Sequence, residues 1–166
     1  AHERLCRLAG ADRLTLLEAD LNNGVQVENA SVVVLNLTFL GAVPRSKVRD
    51  WILAADVCLV PLRDRQLFRT VIPSKMFEIM GTARPILLSV EGEARELLDA
   101  AGAGIAIEPE SASALGAALE RLAGDPALCR EMGESGRRFV EEGYTRAALA
   151  RRYARILEDL LDERRA

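Results

Sequence analysis

The residues best suited to chemistry in this chain sit in Val71-Ile72-Pro73-Ser74-Lys75-Met76-Phe77-Glu78. A helix beginning near Ser74 would direct its free N–H groups and the positive end of its dipole outward, which suits a diphosphate. Lys75 adds a full positive charge at the same place. Glu78 lies one helical turn away, where a carboxylate can accept hydrogen bonds from two vicinal ribose hydroxyls. Amides, a cation and a carboxylate together make up a nucleoside-diphosphate site. The same spacing fits equally well a capping serine at Ser74, preceded by Pro73, with a Lys75–Glu78 surface pair.

Two other segments carry weaker signals. In Gly41-Ala42-Val43-Pro44, Gly41 permits close backbone approach, and main-chain amides near Val43 can pair with the edge of a planar base, although an ordinary strand-to-helix turn explains the residues as well. In Val90-Glu91-Gly92-Glu93, Gly92 would let a sugar or phosphate approach the backbone just ahead of Glu93 at a helix start. The GxGxxG, GxxxxGK[ST], GxSxG and HExxH patterns are missing from the sequence, so the dinucleotide, P-loop, hydrolase and zinc-protease readings have no support.

These segments must be positioned by the elements around them. From Leu37 onward, short β-rich runs alternate with helical stretches, the pattern of an α/β fold in which a Rossmann-like parallel sheet carries helices on both faces. Strands are expected at Leu37–Leu40, Asp56–Val60 (ended by Pro61), Pro85–Ser89 and Gly104–Ile107. Helices are expected from Pro44 through Leu53, then over Ser74–Thr82, Glu93–Ala101 and Ser111–Leu122, with a charged loop at Arg63–Arg69. Two C-terminal helices, Pro126–Glu142 and Thr145–Asp162, close the chain; the second has an apolar stripe and a charged, solvated back. In such a sheet the ligand lies beyond the carboxyl ends of the strands, where all three candidate segments fall. The first 36 residues fit this alternation less well, with strand-like runs at Arg13–Asp20 and Ser31–Leu35. A start at Ala1 points to a piece of something longer.

Composition narrows the classes. The 166 residues carry 22 Lys and Arg against 25 Asp and Glu, a formal net charge of −3, with 49% hydrophobic and 4% aromatic residues. One ordinary domain of this size buries enough surface to need no staples. Nucleic acid is not an expected partner, because neither a broad positive field nor a set of stacking aromatics is present. Cys6, Cys58 and Cys129 are odd in number and far apart, which suits reduced thiols in a cytoplasmic protein. With a single histidine, His2, no metal site is expected. The apolar stretch Ser31–Val43 is too short for a membrane span.

At these residues the chain resembles a known family. FLGAVPRSKVRDWILAADVCLVPLRD, VIPSKMFEIMGTARPILLSVEGEARELL and GAGIAIEPESASALGAALERLAGDPALCREMGESGRRFV resemble the carboxyl-terminal domain of family-4 glycosyltransferases of GT-B fold. The likeness is to bacterial polysaccharide-building enzymes of the O-antigen and colanic-acid type, in which PSK-x-x-E precedes G-x-x-x-P, as Pro73–Glu78 precede Gly81–Pro85. It runs from about Leu37 to Asp162, giving an atypical or truncated segment at 1–36 and a nucleotide-sugar-binding domain at 37–166. The resemblance implies that Glu78 binds the donor ribose, that backbone at Val43 meets the base, and that Ser74 and Lys75 lie by the diphosphate. The paired glutamate that the wider family carries eight positions earlier is replaced by Thr70 here, and enzymes of the PSK type are similar in lacking that glutamate.

What the resemblance implies is the donor-binding half of a retaining glycosyltransferase. It would move a sugar, from UDP as the expected nucleotide, to a lipid-linked or polysaccharide acceptor. No catalytic residue is assigned and no cofactor is implied. The reaction would need an N-terminal acceptor-binding domain or protein as partner, and the complete enzyme could make peripheral contact with the inner face of the membrane. The alternative is a non-catalytic remnant or interaction module that keeps the fold. ADRLTLLEADL within Ala1–Leu21 is similar to the second strand region of short-chain dehydrogenases, which would make the chain a nicotinamide-dependent reductase fragment.

Overall fold

A computed structural model describes residues 42–164. The expected strands at Arg13–Asp20, Ser31–Leu35 and Leu37–Leu40 lie outside the described residues, as do Gly41, Cys6 and His2.

The described chain opens with α1 (Arg45–Ala54), capped by Pro44 in an extended conformation that a proline ring favours just ahead of a helix. Then follow β1 (Cys58–Pro61), α2 (Gln66–Arg69), α3 (Lys75–Gly81), β2 (Ile86–Ser89), α4 (Glu93–Ala101) and β3 (Gly104–Ala106). The remainder is helical: α5 (Ala112–Gly124), α6 (Pro126–Gly143) and α7 (Arg146–Glu163). Each of these three has a side-chain cap. Ser111 accepts from the Ala114 amide, Asp125 from Leu128 and Thr145 from Ala148, each satisfying an otherwise orphaned donor of the first turn.

The strands form one parallel sheet in the order β1-β2-β3, with Cys58 opposite Ile86 and Ile86 opposite Gly104. All four residues of β2 are buried, as expected of a central parallel strand covered on both faces. Because side chains alternate across a strand, β2 feeds two cores. Ile86 and Leu88 join Val60, Met76, Met80, Ala94 and Leu98 beneath α3 and α4. Leu87 points the other way, to Ile107 and Ala118 beneath α5. Helices therefore cover both faces, as the alternation of elements predicts.

Several boundaries move. Asp56 and Val57 precede β1, and Pro61, expected to end it, is its last paired residue. The amides of Cys58 and Leu62 donate to Pro85 and Ser89 of the neighbouring segment; the alternate residue Pro61 faces the other way, where its missing N–H breaks no bond to β2. The charged loop Arg63–Arg69 contains the single turn α2. Pro85 precedes β2, and Ile107 follows β3 while its amide still donates to the Leu88 carbonyl at 2.8 Å.

Helix α6 lies against α3 at unusually close range. Gly133 abuts the Ala83 carbonyl, and Gly136 abuts Met80 and Ala103, so a side chain at either position would overlap a neighbour. Phe139 and Val140 then pack on the core of the α3–α4 face. Gly116, in the middle of α5, is a contrasting case with open space around it. Alanine there should stabilise the protein by roughly 0.5–1 kcal/mol through helix propensity, measured as a higher urea midpoint; an unchanged or lower midpoint would contradict this.

Candidate functional site

Pro73 and Ser74 form a turn that leads into α3. The Met76 amide donates to the Pro73 carbonyl at 3.0 Å and the Phe77 amide to Ser74 at 3.1 Å. Ser74 itself has helical backbone angles, and its side chain makes no capping bond. The first-turn amides not taken up by this turn, among the described residues, are those of Ser74 and Lys75. The capping-serine alternative is therefore not what the structure adopts. Lys75 and Glu78 do not form an ion pair either.

Glu78 is exposed and lines a groove of about 420 Å³ between α1 and α3. Val48 and Ile52 of α1 and Phe77 of α3 provide its apolar surface; Arg45 and Arg49 face Glu78 across it. Ser74 and Lys75 stand one turn along α3, outside the groove lining. Val43, half-buried, leads into α1 two residues before Arg45. Arg45 and Arg49 belong to no motif. Their i, i+4 spacing puts both on one helix edge, a signal that a solvent-facing basic pair would give equally.

The wall of the groove is braced from behind. Phe77 lies 5.1 Å, centroid to centroid, from Tyr144, which stacks on Phe139 at 5.0 Å. At the far end of α1, the Arg84 guanidinium donates to the Leu53 carbonyl at 2.7 Å, tying α1 to the turn after α3.

The third candidate segment lies apart. Gly92 has φ 89°, and the side where a Cβ would stand is filled by the Arg69 carbonyl. The protein's own backbone thus suffices to require this glycine. Glu93 is an exposed first-turn residue of α4, beside the Glu91–Arg95 ion pair. Neither residue lines the groove.

Two cysteines are described, both free and half-buried. Burial pushes the Cys58 thiol up to about 12, against the pull of nearby Arg84. Cys129 is raised too, by burial first and then by Asp56 and Asp125. Both stay protonated near neutrality, which makes them poor nucleophiles.

Residues 8–125 match the family model described as glycosyl transferases group 1. The chain belongs to this family. The matched span starts upstream of residue 37 and ends just past α5. Among solved structures, a sucrose-phosphate synthase from Thermosynechococcus elongatus is similar, at 25% identity and a TM-score of 0.64 over 76% of this chain. The chain covers 31% of that protein's length. A search of curated proteins finds no match. The Rossmann-like fold is that of a GT-B glycosyltransferase half. The groove containing Glu78 is one concave feature of the described residues, and among them no helix is long and apolar enough to cross a membrane.

Proposed function

We propose that this chain is the donor-binding half of a retaining glycosyltransferase of the family-4, polysaccharide-building type. It takes a sugar from a nucleoside diphosphate, UDP as the expected carrier, for transfer to a lipid-linked or polysaccharide acceptor at the inner face of the membrane. The observation that carries this reading is the position of Glu78: an exposed carboxylate in the α1–α3 groove, one turn from Lys75 and facing the helix that follows Val43. In this reading Glu78 holds the ribose hydroxyls and backbone at Val43 meets the base. Lys75 and the amides of Ser74 and Lys75 stabilise the diphosphate as it leaves, the point where negative charge grows in the transition state. Residues 37–166 form the donor domain, and an acceptor-binding domain or protein completes the cleft.

Calorimetry with uridine and UDP tests these roles separately. Glu78→Gln removes one charge-assisted hydrogen-bonding group and should weaken both ligands about tenfold to a hundredfold. Lys75→Ala should weaken UDP while leaving uridine unchanged. Equal affinities for the wild type and Glu78→Gln would overturn the ribose assignment.

A further inference from the structure

Helix α1 carries one wall of the groove yet is thinly held. It buries none of its residues, and among the described residues Ile52 is the one it packs on the core of the α3–α4 face. The opposite wall is firm: α3 buries Met76, Ile79 and Met80, and Tyr144 braces Phe77. A nucleoside lying between Val43 and Glu78 touches both walls, so its affinity depends on how closely the loose one is kept in place. With 10 residues, α1 is a rod of about 15 Å, and a tilt of about ten degrees at its carboxyl end moves the amino end, next to Val43, by more than about 2 Å.

Arg84 supplies the second anchor. Its guanidinium donates to the Leu53 carbonyl at 2.7 Å, one of the last carbonyls of α1, which have no intrahelical amide to bond. The cation also meets the negative end of the helix dipole. Arg84 stands on a turn that cannot easily shift. Ala83 takes φ 55°, a left-handed conformation that a residue with a side chain adopts at a cost. The Ala83 amide donates to the Met80 carbonyl at 2.9 Å, and Gly133 of α6 abuts the Ala83 carbonyl. The Thr82 hydroxyl donates to the Ile79 carbonyl at 2.7 Å. The Nε of Arg84 is buried without a hydrogen-bond partner, a cost that a residue needed only for packing, such as methionine, would not carry.

We propose that Arg84 is a positioning residue for donor binding: by holding the carboxyl end of α1 to the turn after α3, it fixes the separation of Val43 and Glu78. The inference rests on the donor reading given above. In calorimetry on folded protein, Arg84→Met should weaken uridine and UDP by the same factor, about tenfold, because both ligands span α1 and α3. The ratio of UDP to uridine affinity, set by Ser74 and Lys75 on α3, should remain that of the wild type. Trp51, the single tryptophan, sits in α1 and reports on it directly; acrylamide should quench its fluorescence more strongly in Arg84→Met. Arg84→Lys keeps a cationic donor and should weaken both ligands only about threefold, a comparison that stands even if Arg84→Met does not fold. An arginine with a merely structural role would lower the urea midpoint and leave the affinities of the folded protein unchanged, and that result would overturn the proposal. So would a lysine variant as weak as the methionine one, or a changed UDP-to-uridine ratio. A wild type that binds no uridine would overturn the donor reading and this inference with it, whereas affinity lost in Glu78→Gln but kept in Arg84→Met would overturn this inference alone.

Discussion

Replacing Gly104 with alanine is expected to cost the fold about 3 kcal/mol or more. Gly104 opens β3 opposite Ile86, and a Cβ there would overlap the Ile86 carbonyl. That carbonyl belongs to the central strand, whose residues are all buried and whose neighbours pack on both faces. A flexible side-chain tip could rotate away from a new methyl group, but a backbone atom held between two strands cannot move without breaking the ladder. The effect should appear as a lower urea midpoint for unfolding. It should run opposite to that of Gly116→Ala, which adds the same methyl group in open space. A loss below about 1 kcal/mol would mean that β2 and β3 can separate more freely than their packing indicates.

The second large effect concerns turnover. Under the proposed function, this chain alone should transfer no sugar, with rates at least about a thousandfold below those reached when a family-type acceptor domain is supplied separately. The groove beside Glu78 is open to solvent on the described domain, where charges on a departing diphosphate are screened by water. Ribose and base contacts are local and survive on one domain; the alignment of donor with acceptor must be held across two. The assay is release of UDP from a UDP-sugar in the presence of a lipid-linked acceptor, with and without the added domain. Full turnover by the chain on its own would place the reaction elsewhere.

Much of the sheet was legible because parallel strands, buried on both faces, read as continuous apolar runs such as Ile86-Leu87-Leu88. The strand ends were less so, because they depend on where a neighbour's donors point: nothing local to Pro61 says that its missing N–H faces away from β2. Helix α2 was hidden because a single turn, Gln66-Leu67-Phe68-Arg69, is too short to show an apolar period. At the site, Glu78 stood out through its spacing from Lys75. Arg45 and Arg49 did not, because a basic pair on a helix edge looks the same whether it faces solvent or a groove. The structural demand for glycine at 92 was hidden for a related reason: the residue that imposes it, Arg69, lies more than twenty positions away in sequence and meets it only in the fold.

The seating of α6 has a consequence for the order in which the chain is made. Met80 and Ala103 are fully buried, and Gly136, in the second half of α6, lies against both. A ribosome supplies the sheet and α3 to α5 first, yet the outer surface of α3 stays uncovered until Gly133 to Val140 have emerged. A nascent chain halted after α5 would hold a paired sheet beneath an apolar face still open to solvent, a species suited to chaperone capture and prone to aggregation. The helix that closes the face of α3 carries no residue of the proposed donor site.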